Sequence, residues 1–300
     1  MTTRTKALLA WGLCCTVWGS TYLAIRIGVQ VAPPFLFASL RFLIAGTLLG
    51  LWLAARGERF RVAPETVVFV AITGLFLLLG GNGGVSWAEQ FVPSGQTSVI
   101  VAMVPLFIAM VEVAMPGARV VPSPALLAGL LIGFAGSVLL VGASWDELRH
   151  ADWRGFLALT GACLSWAIGT VLIKRRRPGT TALVTSTIQM LAAGLGMLAV
   201  AALRGELAAF TPSRAMVAPL AYLVVAGSLI GFTAYAYALE HLPATLVGTY
   251  AYVNPIVAVL LGWAFAGEVV TVRMLVASLV ILASVAWIQL VAVPRQRAAP

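Results

Sequence analysis

The feature that most constrains this chain is a succession of apolar runs, each close to twenty residues, separated by breaks too short to form a domain of their own. A bilayer core demands about 20 apolar residues per helix. Backbone amides in lipid must be satisfied within the segment, so each run reads as a spanning helix. Ten runs can be marked, at 7–28, 33–54, 65–86, 93–114, 122–142, 153–174, 180–203, 215–239, 243–266 and 272–292. Of the 300 residues, 61% are hydrophobic and 10% charged, against roughly 25% charged in a soluble domain. The expected fold is an all-α membrane protein. Its net charge of +9 falls in the short breaks, as topogenic charge does, so nucleic acid is not an expected partner. Cys14, Cys15 and Cys163 all lie inside apolar runs and read as small packing residues. The N-terminal run is too long and too rich in tryptophan for a cleaved leader and is taken as a retained helix.

The runs fall into two sets of five. The longest break, 143–152, divides the chain into halves 1–143 and 144–300, and the halves echo each other. Cys15, Trp18 and Arg26 recur at the same spacing as Cys163, Trp166 and Lys174. Arg41-Phe42-Leu43-Ile44-Ala45-Gly46 recurs as Gln189-Met190-Leu191-Ala192-Ala193-Gly194. Pro93 and Pro105 recur as Pro243 and Pro255, twelve positions apart in each half. An odd number of helices per repeat places the halves in opposite orientations, the inverted-repeat plan of secondary transporters. Placing the N-terminus inside puts twelve Lys and Arg on the cytoplasmic side against six outside, so both termini are expected in the cytoplasm. The basic run 174–177 also suits anionic membrane lipid. An interior proline frees a carbonyl and kinks its helix, which makes Pro105 and Pro255 the candidate hinges.

Trp18-Gly19-Ser20-Thr21-Tyr22, Arg41-Phe42, Val104-Pro105, Ser165-Trp166-Ala167, Asn254-Pro255 and Gly267-Glu268 together resemble the signature positions of the EamA-type branch of the drug/metabolite transporter superfamily. The similarity runs through the whole chain, and each half resembles one five-helix EamA-type repeat. It implies a multi-pass carrier of the bacterial inner (plasma) membrane, exporting small metabolites such as amino acids, their derivatives or amphipathic xenobiotics. Ala118-Arg119 stands where the second half has Glu268-Val269, so a structural role for that glutamate would occur once.

A carrier needs polar or aromatic groups around a cavity near the midplane. Trp18 lies near the centre of the first helix with Ser20, Thr21 and Tyr22 after it, and Trp166 occupies the equivalent place in the sixth. Tryptophan prefers membrane interfaces, so a central one suits a cavity wall or a tight helix contact. Arg41 lies about 12 Å into the second helix, a depth where charge is costly and is paired or functional. It suits a substrate carboxylate or a brace for broken helix ends, and its repeat mate is the neutral Gln189. Tyr235, Tyr237, Tyr250 and Tyr252 cluster beside Asn254, and their spacing turns neighbouring rings to different helix faces. Such rings line a pocket for flat or cationic molecules, or simply pack.

Asn82, in the run Gly80-Gly81-Asn82-Gly83-Gly84, is expected at the outer mouth. That run lacks the flanking strand of a nucleotide loop, and no cofactor or metal is expected. Glu112 is the acid most clearly inside a run and is the proton-coupling candidate, with an interfacial carboxylate as the alternative; Glu89 and Glu240 read as loop residues. His150 and His241 both fall in breaks, which disfavours a membrane-embedded enzyme. The expected partner is a small-molecule substrate, moved by alternating access. With both halves in one chain a monomer suffices, and a homodimer stays open. The alternative is a non-transporting scaffold or lipid-handling protein.

Overall fold

The computed structural model describes residues 1–58, 62–115, 122–141, 152–266 and 270–291. Gly267, Glu268, Arg119 and the 142–151 break fall outside them. The helices are α1 (Thr3–Val31), α2 (Pro34–Ala55), α3 (Pro64–Ala88), α4 (Ser94–Ala114), α5 (Pro124–Val141), α6 (Trp153–Arg176), α7 (Ala182–Leu203), α8 (Arg214–His241), α9 (Ala244–Gly248 continued by Tyr250–Ala266) and α10 (Val272–Val291). Each expected run thus holds a helix. Among the described residues nine candidate spans are long and apolar enough to cross a membrane, and the apolar part of α5 is shorter.

Local chemistry sets the helix ends. Thr2, Asp152 and Thr181 accept hydrogen bonds from Thr5, Arg154 and Val184 amides at the starts of α1, α6 and α7. These side chains satisfy donors that a helix start leaves orphaned. Proline opens α2, α3 and α5, where its missing N–H costs nothing. Past the end of α2, Gly57 takes φ +74°, and after α7 Gly205 takes φ +72°, conformations that side chains with a Cβ rarely adopt. The start of α2 is also held from another part of the chain. Glu206, buried after α7, accepts the Leu36 amide at 3.0 Å and meets Arg204 at 3.5 Å, and an anion at a helix N-terminus is favoured by its dipole.

Packing repeats the sequence echo. The helix α2 lies along α7 and α5 along α10; α1 packs on α8 and α9, as its mate α6 packs on α3 and α4. Exchanging each helix for its mate five places on maps this pattern onto itself. The α2–α7 seam shows why. A Cβ on Gly46 would lie 3.0 Å from the Leu191 side chain, and one on Gly194 would lie 2.8 Å from that of Leu43. Each helix therefore offers a glycine notch to the other's leucine, the close approach small residues allow in membranes. These are the echoed segments of the sequence.

Two features depart from regular α-helix. Leu75–Gly83 in α3 and Leu223–Phe232 in α8 are π-helical, at mated positions. Wide turns of this kind release carbonyls from the usual ladder and occur often at functional sites. Here the Gly227 carbonyl accepts the Trp18 indole N–H at 2.9 Å, and that of Phe76 accepts the Ser165 hydroxyl at 2.7 Å. The other feature is interruption. The helix α4 breaks at Ala102 and Met103, just before Pro105, whereas α9 breaks at Thr249, six positions before Pro255, which sits within continuous helix.

Candidate substrate site

Four helices bring an aromatic cluster to the middle of the bundle. Trp18 of α1 has ring centroids of Tyr250, Tyr235 and Trp166 at 4.8, 5.3 and 5.4 Å, and Trp166 lies 5.2 Å from Tyr235. Trp18 meets Trp166 and Tyr250 edge to face, the arrangement that aligns ring edges with ring faces. Tyr235 is fixed by its hydroxyl, 2.6 Å from that of Thr170. Asn254, fully buried, has its amide nitrogen facing the Tyr250 and Cys15 carbonyls at 2.9 and 3.1 Å when the amide is set to meet these acceptors. The other end of the amide lies 3.3 Å from the Tyr22 hydroxyl. Asn254 therefore ties α9 to α1 and orients Tyr22.

Beside the cluster lies Arg41, 4% exposed. Its Nε donates to Ser228 Oγ at 2.8 Å, and an Nη lies 3.4 Å from Asn82 Oδ1. The guanidinium also rests 4.6 Å above the Phe42 ring. The π-helical turns serve it directly: Ser228 and Asn82 both come from them, and a Cβ at Gly227 would intrude to 2.8 Å. Among the described residues Arg41 has no carboxylate partner. Among the described residues the one ion pair is Arg204 with Glu206. A cation at this depth without a counter-ion is costly unless something anionic visits it.

These groups enclose a small central cavity of about 50 Å³, lined by Trp18, Thr21, Tyr22, Ile25, Arg41, Asn82, Val85, Cys163, Trp166 and Tyr250 among others. That is room for a few waters at most. A larger cavity, about 540 Å³, enters from the end where the 177–181 loop and His241 lie, and reaches inward along Lys174, Thr185 and Gln189 to Tyr235. Its size is that of a pocket for a small organic molecule. Tyr235 lines the large cavity and packs on Trp18 and Trp166, which line the small one, so its ring stands between the two together with theirs.

Several expectations need correction. Tyr252 does not join the cluster: it faces the other way and its hydroxyl donates to the Leu130 carbonyl on α5 at 2.7 Å. Tyr237 stacks near His241 at the bundle's end. The alternation of faces at i and i+2 thus separates Tyr235 and Tyr250 from their neighbours. Asn82 is not at an outer mouth but at mid-bundle against Arg41. Glu112 lies near the end of α4, where Arg175 donates to its carbonyl at 2.5 Å, a place that agrees with the interfacial alternative, and it does not line the central cavity. Glu89, read as a loop residue, is fully buried. Ser228 and the carbonyl of Gly227 do not stand out in the sequence; the glycines Gly227 and Gly231, four positions apart in an apolar run, are the signal that marks the place.

Apolar helices exchanged in mated pairs about a glycine-notched seam, with a charged pocket at their centre and a vestibule from one end, define a multi-pass membrane transport protein. The description "EamA-like transporter family" fits the chain twice, over residues 5–142 and 153–290. The chain belongs to this family. YedA of Escherichia coli K12, named as an uncharacterized inner membrane transporter, is 39% identical over 253 residues, covering 84% of this chain and 80% of YedA. YvbV of Bacillus subtilis 168, named as an uncharacterized transporter, is 24% identical over 94% of this chain and 90% of its own. A protein of known crystal structure superposes with TM-score 0.76 over 96% of this chain and 98% of its own, at 25% identity. The protein is a multi-pass protein of the bacterial inner membrane.

Proposed function

We propose that this protein is a secondary carrier that exports a small amphipathic molecule bearing a carboxylate and a flat apolar body, such as an amino acid or a derivative. The observation that carries this reading is Arg41, a buried guanidinium without an acidic partner, lining the same cavity as Trp18, Tyr22, Trp166 and Tyr250. A carboxylate would complete the pairing of Arg41, whose forked donors suit it, while the rings would take the apolar body.

Transport follows from two inverted five-helix halves, 1–143 and 144–300, rocking about the α2–α7 seam. The helix interruptions near Pro105 and before Pro255 supply points of bending. With ten spans and both termini in the cytoplasm, the large cavity opens inward, because the basic run 174–177 lies at its mouth. Substrate then loads from the cytoplasm, Tyr235 moves aside, and the far end opens.

The test is thermal stability of the purified protein against a panel of amino acids, aromatic carboxylates, sugars and flat organic cations. A ligand at a hundred times its dissociation constant stabilises by about 2.7 kcal/mol. Removing one charge-assisted contact by Arg41→Gln should cost about 1.5–3 kcal/mol of that binding, roughly a 10- to 150-fold weaker ligand. Hits restricted to carboxylates and weakened in both Arg41→Gln and Trp18→Ala support the assignment. Carboxylate hits unchanged in Arg41→Gln, or hits among cations and sugars alone, refute it. A folded protein without flux in proteoliposomes for any hit would favour the scaffold alternative.

A further inference from the structure

Glu89 follows Ala88, the last residue of α3, at a helix end where a solvated acid is expected. It is instead fully buried, and among the described residues neither carboxyl oxygen has a hydrogen-bond partner. Arg26 of α1 comes close but turns its guanidinium to the backbone, donating to the carbonyls of Glu89 and Val92. Among the described residues no ion pair joins Arg26 to the acid. Burial pushes this carboxyl well above the usual carboxylate range, against the pull of the Arg26 charge.

The other surroundings do not offset this. Tyr22, also on α1, is within electrostatic reach. On α2 the one charged residue is Arg41, engaged with Ser228 and Asn82. The helix α6 presents Gly155, Ala158 and Ala162 to this part of α3, and the one acid of α4, Glu112, stands at its far end beside Arg175.

The same construction occurs at the opposite end of the bundle. Lys174, the repeat mate of Arg26, donates to the carbonyls of Leu239 and Glu240 at 2.6 and 3.2 Å, where α8 ends. There, however, the acid Glu240 is exposed and lines the large cavity. One basic residue per half thus caps the mated helix beside a terminal glutamate, shut over its acid at one end and open around it at the other. Motion that exchanges the two ends would bring Glu89 into water.

We propose that Glu89 is a proton-binding site of the carrier: its carboxyl holds a proton while the bundle is closed at that end and releases it to bulk water on the same side when that end opens. The proposal rests on the alternating-access reading above. A solvated glutamate ionises near 4.5. Because the closed state keeps the acid neutral, its full advantage is present below that pH and is lost as pH rises, by up to tenfold in population per unit, until the buried carboxyl itself ionises. Acid on that side therefore favours closure.

Two measurements on the full-length reconstituted protein test this. Infrared spectra near pH 7 should contain a neutral carboxylic acid carbonyl band, absent from the isosteric Glu89→Gln variant. In a Val92→Cys background, labelling from that side by a membrane-impermeant maleimide, corrected for thiolate fraction, should rise above about pH 5 by up to tenfold per unit. The profile should be flat in Val92→Cys with Glu89→Gln; the three native cysteines are buried. Absence of the band, or equal labelling profiles with and without Glu89, overturns the proposal. If Glu89→Gln does not fold, the Val92→Cys protein with Glu89 intact decides alone: a neutral-acid band whose loss on raising pH parallels the rise in labelling supports it, and a band that does not titrate with labelling overturns it. Neither assay reads solute flux, so failure of the carrier reading is a separate result.

Discussion

Replacing Gly231 by alanine would test whether the aromatic centre is held as tightly as its distances imply. A Cβ built there lies 2.4 Å from Trp18 Nε1 and 2.8 Å from Cδ1. Carbon contacts become comfortable near about 3.5 Å, so the indole would have to retreat by about 1 Å. It has nowhere to go, with Tyr250, Tyr235 and Trp166 centred 4.8, 5.3 and 5.4 Å away. Retreat also stretches the 2.9 Å bond from the indole to the Gly227 carbonyl past useful range. Overpacking of this kind costs about 1–3 kcal/mol and the lost bond about 1 kcal/mol. Alanine returns up to about 1 kcal/mol through helix propensity, leaving a net loss of about 1–3 kcal/mol. Gly161, on an exposed face of α6 with nothing within 4 Å of its virtual Cβ, is the control. Gly161→Ala is expected to be neutral or up to about 1 kcal/mol more stable. Unfolding in mixed micelles with rising denaturing detergent, followed by circular dichroism, gives both values. Equal stability of the two variants would refute the tight-centre argument.

Two further outcomes separate structural from transport roles. Tyr252→Phe removes the hydroxyl that bonds to Leu130 and should lower stability by about 1 kcal/mol without changing substrate affinity. Tyr235→Ala should instead join the two cavities, seen as solute leakage from proteoliposomes that the Tyr252 variant does not show. Glu206→Ala leaves the Leu36 amide at the buried start of α2 without its acceptor and should cost about 1–3 kcal/mol in the same unfolding assay. Arg204→Ala removes the half-exposed partner of that acid and should cost under about 1 kcal/mol.

The repeat was legible because it lies in residue identities. The echo of Arg41 to Gly46 in Gln189 to Gly194 is the α2–α7 seam itself, and the Trp18 and Trp166 echo is the paired wall of the central cavity. Arg41 stood out as a charge within an apolar run, and the position of its mate marked the symmetry even where the chemistry differs. What escaped the sequence depends on hydrogen-bond register and on neighbours distant in the chain. Apolar periodicity does not distinguish a π-helical turn from an α-helical one, so the placement of Asn82 and Ser228 beside Arg41 was not visible. Glu89, followed by Gln90 and close to Pro93, has the composition of a solvated helix end; its burial comes with neighbours distant in the chain, Arg26 of α1 and Gly155 of α6 among those that meet this segment. The tyrosines were recognised as a group, but which of them turned inward was decided by helix phase, and Tyr252 belongs to α5 rather than to the pocket.

The seam also has a mechanical consequence. Gly46 and Gly194 are each the thirteenth residue of a 22-residue helix, so the two notches sit near the middle of the bundle's thickness. A leucine seated in a notch resists sliding, since a shift along the axis drives it onto a neighbouring side chain, yet it permits tilting about itself. On the proposed alternating-access cycle the seam would work as a fulcrum with arms of about 16 Å, half of a helix rising 1.5 Å per residue. A tilt of about 15° would carry each end of such an arm about 4 Å, in opposite senses at the two membrane faces. In that cycle, opening one face and closing the other would be a single movement of a lever.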